Sequence, residues 1–263
     1  MNFRDINNYF NVLCEFYTIN KSALKNRKNL NLLKRNSELR DKYNGKRIVL
    51  LFTGNSVNNI NFKLFKNEYV FGCNYLALHK DFDDLNINFY SDLDTWSYRL
   101  HTAYNWLFKI IYAKTRPGTK IFSNTSSYDF IKNISSFRKD DTYYLGFNSR
   151  FSDVSDVSID IEKLTNIITG GCFSANIAVS IYMGFKTIYL VGADYTKDPL
   201  IVGHFYDGDK VAKNVSPDLV KKHKIINEFA ESRGVAIYNV VDKGFSSRTF
   251  KQIRTDEFVK IME

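Results

Sequence analysis

Four short clusters in this chain carry the residue types that reactions on phosphates and sugars use. Gly54-Asn55-Ser56 offers backbone N–H groups and two small polar side chains in a turn, which can hold a phosphate or nucleotide. It has neither a GxGxxG pattern nor a Walker lysine, and an ordinary strand-to-loop turn has the same composition. Thr169-Gly170-Gly171 precedes a run of small residues and can present an anion to a helix N-terminus. Glycines that only let a helix pack closely on a sheet read the same way. Asp92-Leu93-Asp94 sets two carboxylates at i and i+2, a spacing that can share a hard divalent cation. Capping of a following helix accounts equally well for Asp94. His204-Phe205-Tyr206 falls in a loop over 196–215, where binding and catalytic groups concentrate. An imidazole there suits a general base, and it is also a common structural residue.

The other chemistry-bearing residues read as packing. His79, His101 and His223 fall in helical patterns with mixed neighbours. Cys14, Cys73 and Cys172 have no histidine beside them in sequence and receive no catalytic role. There is no Gly-x-Ser-x-Gly elbow, no HExxH helix, no zinc finger and no base-stacking module.

Strands and helices in alternation position these clusters. Continuous apolar runs at Arg47–Thr53, Glu68–Cys73, Asn86–Ser91 and Thr187–Gly192 predict buried parallel strands. Lys120–Ser123, Thr142–Leu145 and a last strand at Val235–Val241 complete the set. Helices are predicted over Trp96–Ala113, Gly171–Met183 and Pro217–Arg233, the last started by Ser216-Pro217 and stopped by Gly234. The pattern predicts an α/β fold with a largely parallel sheet. Ligands of such sheets bind beyond the carboxyl ends of the strands. The polar residues there are Thr53 to Ser56, Asn74, Ser91 to Asp94, Asp194-Tyr195 and Asp242-Lys243.

Residues 1–44 read as a helical extension ahead of a body at 45–263. Phe3, Ile6, Tyr9, Phe10, Leu13 and Phe16 form one apolar stripe. A second helix is predicted over Ser22–Tyr43, with Leu24, Leu32, Leu33 and Leu39 on its face. The net charge of the 263 residues is +9. Ten Lys and Arg lie between Lys21 and Arg47 against Glu38 and Asp41, so +8 of that charge sits in one segment. Such a segment predicts attachment to an anionic membrane face or an acidic glycan, or only a solvated helix face. With 44% hydrophobic and 25% charged residues, the chain is not predominantly disordered. Three scattered cysteines exclude a disulfide framework and point to a reducing, cytoplasmic compartment. No apolar run approaches the roughly 20 residues that span a bilayer, and the N-terminus does not read as a secretory signal.

The order of motifs resembles a bacterial cell-surface polysaccharide family: the family-42 sialyltransferases, together with 6-hydroxymethylpterin diphosphokinase-like proteins. The resemblance covers roughly residues 36–250, with short gapped motifs. Asn55 is similar to the nucleotide-phosphate Asn of a GNGPS turn, though Ser56 follows it directly here. Asn74, in Phe71-Gly72-Cys73-Asn74, resembles the Cys-Asn pair that touches the donor. Thr169-Gly170-Gly171 resembles the Thr-Ser-Gly turn that binds cytidine monophosphate, with Gly170 in place of Ser. Ile188 to Asp194 resembles an IYLSGID strand, and His204 resembles the family's general base. Tyr195 is displaced by one position from the tyrosines that assist phosphate departure, and Ser91 stands where an Asn is usual.

The resemblance implies a Rossmann-like sialyltransferase fold of the GT-A variant type. It implies transfer of a cytidine-activated acidic sugar, such as sialic acid or a related nonulosonate, onto a surface glycan of the lipopolysaccharide or capsule kind. His204 would take the acceptor proton, and Tyr195 or Tyr206 would assist the leaving phosphate. Gly54, Asn55, Ser56, Asn74, Ser91, Thr169, Gly170, Gly171 and Asp194 would bind the nucleotide. No cofactor and no essential metal is expected; a metal-dependent variant would recruit Asp92 and Asp94. The partners are a nucleotide sugar, a glycan acceptor and an anionic membrane surface reached through 21–47, with no nucleic acid. A homo-oligomer is compatible with the sequence. The competing readings are an ATP- and Mg²⁺-dependent pterin diphosphokinase and a non-catalytic scaffold of the glycan machinery.

Overall fold

A computed structural model of the chain describes residues 30–93, 101–147, 152–167, 171–200, 203–207 and 216–263, without the side chains of 101–105. Eleven strands run in chain order as β1 Arg47–Leu51, β2 Tyr69–Cys73, β3 Phe89–Asp92, β4 Lys120–Asn124, β5 Thr142–Phe147, β6 Leu164–Thr165, β7 Thr187–Val191, β8 Lys197–Asp198, β9 Ala236–Val241, β10 Ser246–Ser247 and β11 Lys251–Arg254. The α-helices are α1 His101–Lys114, α2 Tyr128–Ile131, α3 Cys172–Tyr182, α4 Pro217–Ser232 and α5 Thr255–Met262. Nine strands form one sheet in the order β11-β9-β7-β1-β2-β3-β4-β5-β6, every neighbouring pair parallel. β8 and β10 make a small antiparallel ribbon. This is the α/β fold with a parallel sheet that the alternating pattern predicts, of the Rossmann-like kind that the resemblance implies.

Strand residues alternate between two buried faces, which is why the sequence shows continuous apolar runs rather than alternation. Ile48, Leu50, Phe71, Phe89, Phe122 and Leu190 pack with α3 and with Ile225, Ile226 and Phe229 of α4 on one face. Val49, Leu51, Val70, Tyr90, Ile121 and Tyr189 pack with Leu107, Phe108 and Ile111 of α1 and Phe258 of α5 on the other.

Two expectations are corrected. Over its described part, the helix expected across Ser22–Tyr43 is a 3₁₀ helix at Leu30–Leu39 followed by turns. Leu33, Asn36 and Leu39 are its buried residues. A burial period of three fits the 3₁₀ repeat better than 3.6. Asn36 Nδ2 donates to the carbonyls of Tyr144 (2.8 Å) and Ile161 (2.6 Å), and Tyr43 stacks on Phe185 at 5.0 Å, so this segment is joined to the body. Val235–Val241 is also not the last strand of the sheet: β11 lies outside it, in register Ile253↔Val240. Lys251 and Gln252 of β11 are exposed, so this edge strand lacks the apolar run that marks the others.

Candidate active site

From β1 the sheet grows through β2 to β6 on one side and through β7, β9 and β11 on the other. The loops leaving β1 and β7 therefore turn apart, and a crevice opens between their carboxyl ends. A cleft of about 280 Å³ occupies this position. Phe52 to Gly54 line it after β1, Cys73 and Asn74 at the end of β2, and Gly192, Asp194 and Tyr195 after β7. Gly171 to Phe173, at the start of α3, and the Gly203-His204 segment complete the wall.

The turn after β1 is held by buried charge. Ser56 donates from its N–H to Asp194 Oδ2 at 2.8 Å and from Oγ to Asp194 Oδ1. Lys197 Nζ pairs with Asp194 Oδ1 at 2.9 Å and donates to Ser56 Oγ at 2.7 Å. The Asp194 and Lys197 side chains are each 2% exposed. The turn also lies hard against the β7 loop, with Gly54 N donating to Gly192 O at 2.9 Å. A Cβ on Gly54 would press on that carbonyl oxygen and lie 2.7 Å from Asp194 Oδ2. Gly54 has φ −63°, so the close approach, not the backbone angle, demands glycine. Gly54→Ala is expected to lower stability by about 1–3 kcal/mol through overpacking against backbone. Urea denaturation measures this, and an unchanged midpoint would show that the turn can back away from the β7 loop.

His204 is anchored to the same strand end. Phe205 N donates to Thr53 O at 2.9 Å, and His204 Nδ1 lies 2.9 Å from Thr53 Oγ1. With Nδ1 engaged, Nε2 is the nitrogen left for a substrate. Tyr206 stacks on the imidazole at 5.0 Å with 18° between the planes, and its edge meets Tyr75 at 5.4 Å. Burial, with help from Asp207, pushes the Tyr206 phenol up to about 12, so it is a hydrogen-bond donor at neutral pH.

Tyr195 packs against Phe173 at 5.2 Å and His223 at 5.8 Å. Burial pushes its phenol well above the ordinary range, which keeps this hydroxyl protonated too. His223 sits 4.9 Å from Phe173 and is 3% exposed, and burial depresses it from 6.5 to about 4. The folded state holds it neutral while the unfolded chain protonates it more readily. Its stabilising contribution is therefore complete above about pH 6.5 and is lost as pH falls toward about 4, on the order of 3 kcal/mol. His223→Phe should flatten the stability profile across that window; an equally steep fall in the variant would assign the acid sensitivity to other groups.

The structure brings Gly54, Asn74, Gly171, Asp194, Tyr195 and His204 to one cleft. Asn74 adopts φ +50°, and its Oδ1 accepts from Cys172 Sγ at 2.9 Å. Asn55 opens the 3₁₀ turn Asn55–Asn59 and is half-buried. Thr169, Gly170 and Asp94 lie outside the described residues. Ser91 is not brought to the cleft wall: it is fully buried, and its Oγ donates to Asn176 Oδ1 at 2.6 Å. Asp92 is buried at the end of β3, where its carbonyl accepts from Ser123 Oγ at 3.1 Å. Among the described residues no three His, Cys, Asp or Glu side chains converge as metal ligands. Asp242 is not among the residues that line the cleft; it accepts from Asn59 Nδ2 and Thr255 Oγ1.

Lys197 and Cys172 are the residues of the site that sequence reasoning passed over. Lys197 follows Asp194 by three positions, a spacing too common to single it out, and its type predicts exposure. Cys172 and Asn74 are 98 residues apart, so no local pattern announces their contact.

Part of the basic segment is consumed by the fold. Arg35 donates to the carbonyls of Lys139, Asp140 and Thr142, Arg40 pairs with Glu162, and Arg47 pairs with Glu68 at 2.5 Å. Lys34, Lys42 and Lys46 are exposed. Lys21, Lys25, Arg27 and Lys28 lie outside the described residues. Among the described residues no helix is long and apolar enough to cross a membrane.

No protein-family model matches the chain, and no curated protein matches it. Solved structures similar to it include sialyltransferases. The sialyltransferase CstII from Campylobacter jejuni in complex with cytidine-5'-monophosphate is 15% identical at a TM-score of 0.41, covering 74% of this chain and 80% of that one. CstII with a trisaccharide acceptor and CMP is 17% identical at a TM-score of 0.40, with the same two coverages, 74% and 80%. The monofunctional α-2,3-sialyltransferase Cst-I from Campylobacter jejuni is 20% identical at a TM-score of 0.38, covering 74% of this chain and 75% of that one. None of these three is a pterin diphosphokinase, and that half of the resemblance finds no support in them.

Proposed function

We propose that this chain is a glycosyltransferase that uses a CMP-activated acidic sugar. The observation that carries the reading is the placement of His204, fixed by Thr53, on the rim of a cleft at the sheet's switch point. The cytidine preference rests on the sequence motifs, several of which line that cleft: Gly54, the Cys73-Asn74 pair, Gly171 and Asp194. In the reaction, His204 Nε2 takes the proton from an acceptor hydroxyl. The acceptor oxygen bonds to the anomeric carbon, the bond from that carbon to the phosphate oxygen breaks, and CMP leaves with the electron pair. Tyr195 or Tyr206, each a protonated phenol at neutral pH, donates a hydrogen bond to the charge growing on the phosphate. The acceptor is a glycan of the bacterial surface, and the exposed lysines of the 30–47 segment favour an anionic face near it.

The donor's phosphate is handled without an essential divalent ion. Among the described residues of the cleft wall the carboxylate is Asp194, and its oxygens are already bound to Ser56 and Lys197. The test is thermal unfolding with CMP, UMP and ATP, each with Mg²⁺ and with EDTA, followed by transfer assays with CMP-sugars. CMP at 100 times its dissociation constant should add about 2.7 kcal/mol of stability, with or without metal. Stabilisation by ATP with Mg²⁺ but not by CMP would replace this reading with phosphoryl transfer, and EDTA-sensitive turnover would remove the metal-free mechanism.

A further inference from the structure

Beside His204 the rim carries a strip of exposed apolar side chains. Tyr206 is 45% exposed, although the imidazole covers one of its faces at 5.0 Å and the rings of Phe205 and Tyr75 cross it at 84° and 65°. Tyr75 belongs to the 3₁₀ turn Asn74–Leu78 at the end of β2. Side chains three apart eclipse on such a turn, so Leu78, 39% exposed, shares the Tyr75 face, while Leu76 and Ala77 are buried in the core. His204 lines the cleft, and Tyr206, Tyr75 and Leu78 do not. The imidazole thus touches both the cleft and the strip. Single exposed apolar residues are ordinary; a strip that begins against the base stands where an acceptor has to approach.

We propose that Tyr206, Tyr75 and Leu78 form the acceptor subsite, which takes a neutral pyranose by its C–H face. The inference rests on the proposed function and names the acceptor's chemical class. A hydroxyl must come within hydrogen-bond reach of His204 Nε2 to lose its proton. Tyr206 lies closer to that ring than the width of a sugar, so the acceptor's terminal unit rests against it. One face of a pyranose presents C–H bonds, whose positive ends suit the negative face of an aromatic ring. Contact also takes apolar surface of both partners out of water, while the hydroxyls stay solvated. Charge selects against an acidic acceptor. Asp207 places a carboxylate beside Tyr206, and Lys80, which follows Leu78 by two positions, is paired with Asp81 at 2.6 Å. A sugar carboxylate would meet a like charge there, and the strip itself offers it no cation. The assignment also separates the two tyrosines. Tyr195, in the cleft wall, is left to the departing phosphate, and Tyr206 serves the acceptor through its ring.

The experiment measures transfer by the full chain from CMP-sialic acid to methyl β-glucoside, methyl β-galactoside and methyl α-sialoside. CMP affinity and the unfolding midpoint are determined for every variant. The expected result is transfer to a hexoside and none to the sialoside. Tyr75→Ala should raise the acceptor KM about tenfold with little change in kcat, the signature of lost uniform binding, and Leu78→Ser should raise it less. Tyr206→Phe keeps the ring and should keep the wild-type acceptor KM, whereas Tyr206→Leu should raise it. A wild-type KM in both Tyr75→Ala and Leu78→Ser, each folded and binding CMP, would overturn the proposal. Preferred transfer to the sialoside would overturn it as well. Pelleting on vesicles of phosphatidylethanolamine and phosphatidylglycerol that these two variants abolish, at an unchanged KM, would make the strip a lipid-facing surface instead. If the wild-type protein does not bind CMP, the proposed function fails. Without transfer, the strip is judged by saturation-transfer NMR with the two hexosides. Saturation of their ring C–H protons that Tyr75→Ala removes upholds the subsite, and no saturation in the wild-type protein overturns it.

Discussion

His204→Ala should lower the transfer rate by roughly 10²–10⁴-fold, the range that a positioned general base supplies. CMP binding should stay nearly unchanged, because the nucleotide would lie against Gly54, Asn74 and Gly171 rather than the imidazole. The argument depends on how the ring is held. Thr53 Oγ1 meets Nδ1 at 2.9 Å, the Phe205 N–H is tied to Thr53 O, and Tyr206 covers one face of the ring. A base fixed in this way loses little entropy when the acceptor arrives. Thr53→Val removes the Nδ1 partner and leaves the ring in place, so it should cost less than His204→Ala and act on the rate rather than on CMP affinity. The measurement is steady-state transfer from a CMP-sugar, with CMP affinity determined in parallel. Full activity in His204→Ala would remove the histidine from the mechanism. Loss of CMP binding in the same variant would make it a donor contact instead of a base.

The strands that carry this site were legible because each is buried on both faces. Arg47–Leu51 and Thr187–Val191 read as continuous apolar runs for that reason, and the rule about strand ends then pointed to Thr53–Ser56 and Asp194-Tyr195. Their adjacency was not legible. That β7 returns beside β1, in register Ile48↔Ile188, depends on tertiary packing over more than half of the chain. Short or half-exposed strands were missed for the opposite reason. β6, β8 and β10 are two residues each, too few to show a period. His204 could be found because a lone imidazole in a long loop stands out. Lys197 could not, because its type predicts an exposed surface residue and only the fold reveals that it is buried. Ser91 failed as a cleft residue because alternation along β3 turns its side chain to Asn176 of α3.

Lys197→Met should be the most destabilising single change within the cleft wall and its supports, costing about 3–5 kcal/mol. The size comes from what remains. Methionine keeps the length of the side chain but removes the ammonium, leaving the Asp194 carboxylate 2% exposed with only the Ser56 N–H and hydroxyl to stabilise it. An uncompensated buried charge is far more costly than the pair itself is stabilising. Asp194→Asn in the same protein removes that charge, so the double variant should recover much of the loss; a double-mutant cycle in urea gives the coupling directly. The effect should reach binding as well, because Ser56 Oγ accepts a hydrogen bond from the Lys197 ammonium at 2.7 Å and its turn forms part of the cleft edge. CMP affinity should therefore fall in Lys197→Met even under conditions where the variant is fully folded. Strict additivity of the two changes would show that water or a rearranged neighbour already screens Asp194, and the turn after β1 would then owe its position to the Gly54–Gly192 contact alone.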